Sequence, residues 1–144
     1  LMIKENINKW HKLIQGNLEG GFDELLADDV VFFSPVVFTP QKGKELTKLY
    51  LMAAGNTFGG DDSVKKGDIK TSSFRYTKEV LSENQAVLEF ETKIDGKYIN
   101  GVDIITFNDE GRISEFKVMI RPLQAVNIIH MQMQKMLDQF KTSE

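Results

Sequence analysis

The chain has 144 residues, no cysteine and a formal net charge of −3. That length fits one domain over residues 1–144, and such a domain buries roughly 70% of the surface its unfolded chain exposes. Without cysteine there is no disulfide framework or thiolate chemistry, and without a basic cluster beyond Lys65-Lys66 there is no footprint of a general nucleic-acid binder. No apolar run approaches the ~18 residues of a membrane span. The charged, amphipathic N-terminus has no signal-peptide core, and a cytoplasmic protein is expected.

Ile3, Ile7, Trp10 and Ile14 recur at helical spacing between charged residues and predict an amphipathic first helix, broken by Gly16, Gly20 and Gly21. A short second helix is expected over Phe22–Ala27, and the run Val30-Val31-Phe32-Phe33 reads as a buried strand. Pro35 and Pro40 leave Val36-Val37-Phe38 at best an edge strand. Leu46, Leu49, Tyr50 and Ala53 predict a third helix that opens near Gly43 and stops at Gly55-Asn56. The polar stretch Gly59–Gly67 reads as a mobile loop. Strands follow over about 71–81, 85–94, 97–107 and 112–121. Pro122 then opens the way to a long amphipathic helix through Val126, Ile129, Met133 and Phe140. Helices first and a long antiparallel meander after them predict an α+β fold, with the sheet curled over the helices.

Asp103 is the lone charge in the apolar strand Gly101-Val102-Asp103-Ile104-Ile105-Thr106-Phe107. Such a charge is costly unless it is paired, neutralised or faces a cavity. The Asp95-Gly96 turn pairs Ile94 with Lys97, and hence Leu88 with Asp103, on the face of Ala86, Phe90 and Ile94. A four-residue turn at Asn108–Gly111 pairs Phe107 with Arg112, and hence Asp103 with Phe116, alongside Ser114, Val118 and Ile120. Both registers turn Asp103 inward; a three-residue loop at either turn would send it outward, opposite Lys117 in the second hairpin. The outer face then carries Val102 and Ile104, with Val87 and Ile113 near them and Glu89, Glu91, Glu115 and Lys117 as a rim. Arg121 and Met119 share its parity. An apolar strip with a charged rim predicts a homodimer through this face.

The order Ser34-Pro35-Val36-Val37-Phe38 to Gly43, then Gly101-Val102-Asp103, Asp109-Glu110-Gly111-Arg112-Ile113 and Arg121-Pro122-Leu123, resembles the SnoaL-like branch of the nuclear-transport-factor-2-like (NTF2-like) superfamily. The resemblance covers nearly the whole chain and implies a cone-shaped α+β fold. In the cyclase branch an aspartate on the corresponding strand, which Asp103 resembles, acts as general acid/base. The superfamily's epoxide hydrolases look like Arg-x-Asp on this strand, where this chain has Gly101. Its dehydratases use histidine pairs, where this chain has only His11 and His130 on different helices.

Desolvation of an inward Asp103 would raise its pKa and suit it to shuttle protons beside a carbonyl. Tyr50 is the candidate donor to a substrate oxygen. Trp10, Ile14, Phe32, Ser34, Phe38, Leu88, Phe90, Phe116, Val118 and His130 are the expected pocket lining, and a small hydrophobic or carbonyl-containing molecule is the expected ligand. The competing reading is a buried Asp103 bonded to Tyr50, Ser34 or Asn100 that holds the cone together in a non-catalytic binding or scaffold module. Asp28-Asp29 and Asp61-Asp62 fall in expected loops with no histidine at ligand spacing, and no phosphate loop is present. Neither metal nor cofactor is expected.

Overall fold

In the computed structural model, residues 2–58 and 73–142 are described; the expected 59–67 loop and the Asp61-Asp62 pair lie outside them. The chain runs α1 (Met2–Ile14), α2 (Gly21–Leu25), β1 (Leu26–Phe33), β2 (Gln41–Lys42), α3 (Lys44–Phe58), β3 (Arg75–Ser82), β4 (Gln85–Ile94), β5 (Lys97–Phe107), β6 (Ile113–Arg121) and α4 (Leu123–Thr142). The strands form one sheet in the order β2-β1-β6-β5-β4-β3. The β1–β6 pairing is parallel and the others are antiparallel. No helix among the described residues is long and apolar enough to cross a membrane.

The helices cover one face in two groups. Ile3, Ile7 and Trp10 of α1 pack with Leu25, Phe32, Leu88 and Phe116. Ala53 of α3 and Ala125, Ile129 and Met133 of α4 pack with Phe90 and Ile99. Tyr50, Tyr76 and Val118 touch both groups and mark the seam between them.

Several boundaries differ from the sequence reading. β1 begins at Leu26, so Ala27 leaves the second helix and Asp28-Asp29 are exposed strand residues rather than a loop. Segment 36–38 pairs with no described strand, and β2 forms two residues beyond it. α3 runs through Gly55 and Asn56. A glycine costs a helix about 1 kcal/mol, but Phe58 beyond it is anchored edge-on to Phe90 at 5.5 Å, and Thr57 Oγ1 donates to Met133 Sδ of α4.

The β4–β5 register is the expected one, with Ile94 opposite Lys97 and Leu88 opposite Asp103. Asp95 and Gly96 both adopt positive φ, as a tight two-residue hairpin turn requires. The β5–β6 register is not. Phe107 pairs with Ile113 rather than Arg112, and a bulge then skips Ser114, so Thr106 pairs with Glu115. Each change shifts the ladder by one residue. Together they move Asp103 opposite Val118 instead of Phe116 while returning it to the same face. The bulge also turns Ile113 from the expected outer face into the core, where it is fully buried.

Candidate functional site

Asp103 sits in the middle of β5, between Leu88 on β4 and Val118 on β6, and keeps 7% of its surface accessible. Its Oδ2 accepts a 2.6 Å hydrogen bond from the hydroxyl of Tyr76 on β3. That hydroxyl oxygen in turn accepts from Trp10 Nε1 on α1 at 3.1 Å. No described residue donates to Asp103 Oδ1. The donor to Asp103 is therefore Tyr76, not Tyr50, Ser34 or Asn100. Asn100 instead accepts from Arg121 and donates to Glu89 and to the Phe90 carbonyl.

Burial raises the Asp103 carboxyl from 3.8 to about 7, against the opposing pull of the Tyr76 hydrogen bond. The Tyr76 phenol is held well above its usual value, first by burial and then by the charge and hydrogen bond of Asp103. Tyr76 thus remains a proton donor while Asp103 exchanges its proton near neutrality. Phe74 stands edge-on to Tyr76 at 5.2 Å and stacks on Phe90 at 5.1 Å, and Trp10 lies 4.9 Å from Phe116. These rings supply the dry surround that the raised pKa reports.

Adjacent residues of α1 grip β3 twice. Trp10 bonds Tyr76, and His11 Nε2 lies 2.8 Å from Glu79 Oε1. Glu79 pairs with Leu88 and Tyr76 with Phe90, so both project from the face that α1 covers.

The expected lining divides. Trp10, Phe32, Leu88, Phe90 and Phe116 are buried in the core, and Ile14 and Val118 are half-buried against it. Phe38 is not a core residue: it is 99% exposed, because segment 36–38 has no strand partner to turn it inward. Ser34, Phe38 and exposed His130 border a separate surface groove of about 480 Å³ between segment 33–38 and α4. A second groove of about 630 Å³ is bordered by Asp28, Asp29, Asp109, Glu110 and Arg112. Neither groove includes Asp103. Tyr50 packs on Phe32 at 5.6 Å, and no described residue bonds its hydroxyl. Tyr76 and Phe74 are the site residues the sequence reading missed.

Gly101, two residues before Asp103, has a structural cause. A Cβ there would lie 2.5 Å from Phe90 Cζ and 2.7 Å from the Met119 carbonyl oxygen. An Arg-x-Asp arrangement cannot be built on this strand while Phe90 occupies that space.

Among solved structures, a steroid delta-isomerase from Pseudomonas aeruginosa superimposes with a TM-score of 0.82 at 27% identity, over 98% of this chain and 95% of its own. The chain has the fold of NTF2-like and SnoaL-like proteins. An NTF2-like protein of unknown function from Mesorhizobium loti aligns with a TM-score of 0.66 at 17% identity, over 84% of this chain and 92% of its own. A SnoaL-like family protein from Agrobacterium tumefaciens aligns with a TM-score of 0.54 at 14% identity, over 84% and 98%. At those identities the latter two bear on the fold alone. No family model matches the sequence. No curated protein matches it.

Proposed function

We propose that this NTF2/SnoaL-like protein is a cofactor-independent isomerase, or a closely allied lyase or cyclase, of small apolar carbonyl compounds, with Asp103 as its general acid/base. The observation that carries this reading is a carboxyl enclosed by aromatic and aliphatic side chains, held near a pKa of 7 and fixed by one short hydrogen bond from Tyr76. At neutral pH both its forms are populated, as a shuttle needs. The carboxylate removes a proton from the carbon next to the carbonyl; the electron pair of that C–H bond moves into the enolate. Tyr50, whose hydroxyl no described residue bonds, donates a hydrogen bond to the enolate oxygen. The neutral acid then returns the proton to the far carbon of the conjugated system. The structural likeness to a steroid delta-isomerase makes a β,γ-unsaturated ketosteroid the first substrate to try.

Turnover is read as the growth of conjugated-enone absorbance. Asp103→Asn should lower it by about 10²–10⁴ while leaving ligand binding within a few-fold. A variant as active as the wild type sinks the reading. A second reading, a non-catalytic binding module, is favoured by the filling of the concave interior with Trp10, Phe32, Phe90 and Phe116, away from both grooves. Saturable steroid binding without turnover by the wild type supports that module instead.

Self-association through the outer sheet face belongs to the same proposal. Val87, Val102 and Ile104 are half-buried there, Met119 is 53% exposed, and Glu89, Glu115 and Lys117 surround them. Sedimentation velocity should show a dimer that Met119→Lys dissociates; a monomeric wild type rules it out.

A further inference from the structure

The two hydrogen bonds that meet at Tyr76 have a direction. An indole N–H donates and never accepts, and a phenol carries a single proton. Trp10 Nε1 lies 3.1 Å from the Tyr76 oxygen, which must accept there. Among the described residues, Asp103 Oδ2, 2.6 Å away, is the acceptor for the one Tyr76 proton. An oxygen receiving that proton cannot place its own along the same line.

We propose that Trp10 is a positioning residue: its indole N–H fixes the order Trp10 to Tyr76 to Asp103, which confines the exchangeable proton of Asp103 to Oδ1. The inference rests on the reading of Asp103 as a proton carrier and adds which oxygen carries. Oδ1 is the oxygen that no described residue bonds, and it is not among the fully enclosed atoms, so its proton is left free to exchange instead of being held by Tyr76. Trp10 is well placed to impose this order. Its ring is braced 4.9 Å from Phe116, and its neighbour His11 fastens the same helix to Glu79 on β3. Glu79 is the other charge that acts on Tyr76, and it is already paired with His11. β4 and β6 present apolar Leu88 and Val118 beside Asp103, and the Tyr50 ring of α3 packs at the same seam.

Trp10→Phe keeps an aromatic ring against Phe116 and removes the N–H. Two properties are read on substrate-free protein: the carboxyl ¹³C titration of Asp103, and the C=O stretch of its neutral form, isolated as the infrared difference from Asp103→Asn. In the wild type the carbonyl is Oδ2, and its stretch lies low because it accepts from Tyr76. In Trp10→Phe the phenol is free to turn and accept from Asp103. A second, higher-frequency band should appear, and the titration midpoint should rise, because the neutral acid gains a second arrangement of its bond with Tyr76 while the carboxylate keeps one. An unchanged band and midpoint in Trp10→Phe overturn the proposal. Where that variant does not fold, Tyr76→Phe decides. Its carbonyl should move to the higher frequency, and a band identical to the wild type's means that Oδ2 is not the accepting oxygen. No substrate enters these spectra, so a protein that fails the steroid assay can still pass this test, and the reverse.

Discussion

Replacing Asp103 by Asn should make the protein more stable at alkaline pH while disabling it. The native carboxyl keeps its proton up to about pH 7, whereas in the unfolded chain it releases it near 3.8. Between those values the native state holds more protons than the unfolded one, so stability falls as pH rises through the window. At about 1.36 kcal/mol per pH unit, the full difference is about 4 kcal/mol. Asparagine has the same shape and no charge, and its amide oxygen still accepts from Tyr76. Its amide nitrogen takes the place of Oδ1, where no described group accepts from it, at a pH-independent cost of about 1–3 kcal/mol. Asp103→Asn should therefore be the less stable protein at pH 4 and the more stable one at pH 8.5, by about 1–3 kcal/mol in each case, with the curves crossing between. Urea unfolding of both proteins from pH 4 to 9 measures this directly. Every other titrating group cancels in the difference. A difference that stays flat across the range would refute the claim that Asp103 is a buried acid with a raised pKa.

Gly101→Ala should cost about 1–3 kcal/mol, because one of the two atoms its Cβ meets is the backbone oxygen of Met119; calorimetry showing an unchanged Tm would contradict the close approach of Phe90. Thr47→Val should hold or raise stability by about 1 kcal/mol, since Thr47 Oγ1 is fully buried without a hydrogen-bond partner among the described residues; a loss of that size would reveal a partner. Glu79→Gln should cost less than about 1 kcal/mol, because its side chain and that of His11 are 38% and 28% exposed. A larger loss by denaturant titration would mean that the grip of α1 on β3 depends on this pair.

Asp103 was legible in the sequence because its inward direction needed only alternation and a two-residue turn, and Asp95-Gly96 specified that turn. The second hairpin was misread by one residue at the turn and by one more at Ser114. The errors cancelled for Asp103 but not for Ile113, which lies beyond the bulge. The C-terminal helix and the meander were legible from long periodic runs. Segment 36–38 was not: its apolar residues promise burial, yet Pro35 and Pro40 deny it a strand partner, and Phe38 ends in solvent. Tyr76 was missed for a different reason. Strict alternation back from Leu81, which pairs with Ala86 on the inner face, puts Thr77 inside and Tyr76 outside.

The irregularities in β3 and β6 therefore do related work. In β3 the ladder skips Thr77, and Tyr76 takes the place opposite Phe90 that regular pairing would give to threonine. In β6 it skips Ser114, and Phe116 meets Ile105 on the inner face while Ile113 stays inside as well. Both extra residues carry a hydroxyl, and both direct it at a carbonyl across the ladder: Thr77 Oγ1 to Glu89, Ser114 Oγ to Thr106. A bulge leaves a ladder carbonyl short of its partner, and a hydroxyl on the bulged residue is the nearest replacement. The carboxyl is thus aimed by the register of β5, its donor by a one-residue irregularity in β3, and the donor's own orientation by a tryptophan on α1. Hydrophobic period reports the first of these. The other two depend on where an extra residue is absorbed, which period alone does not encode.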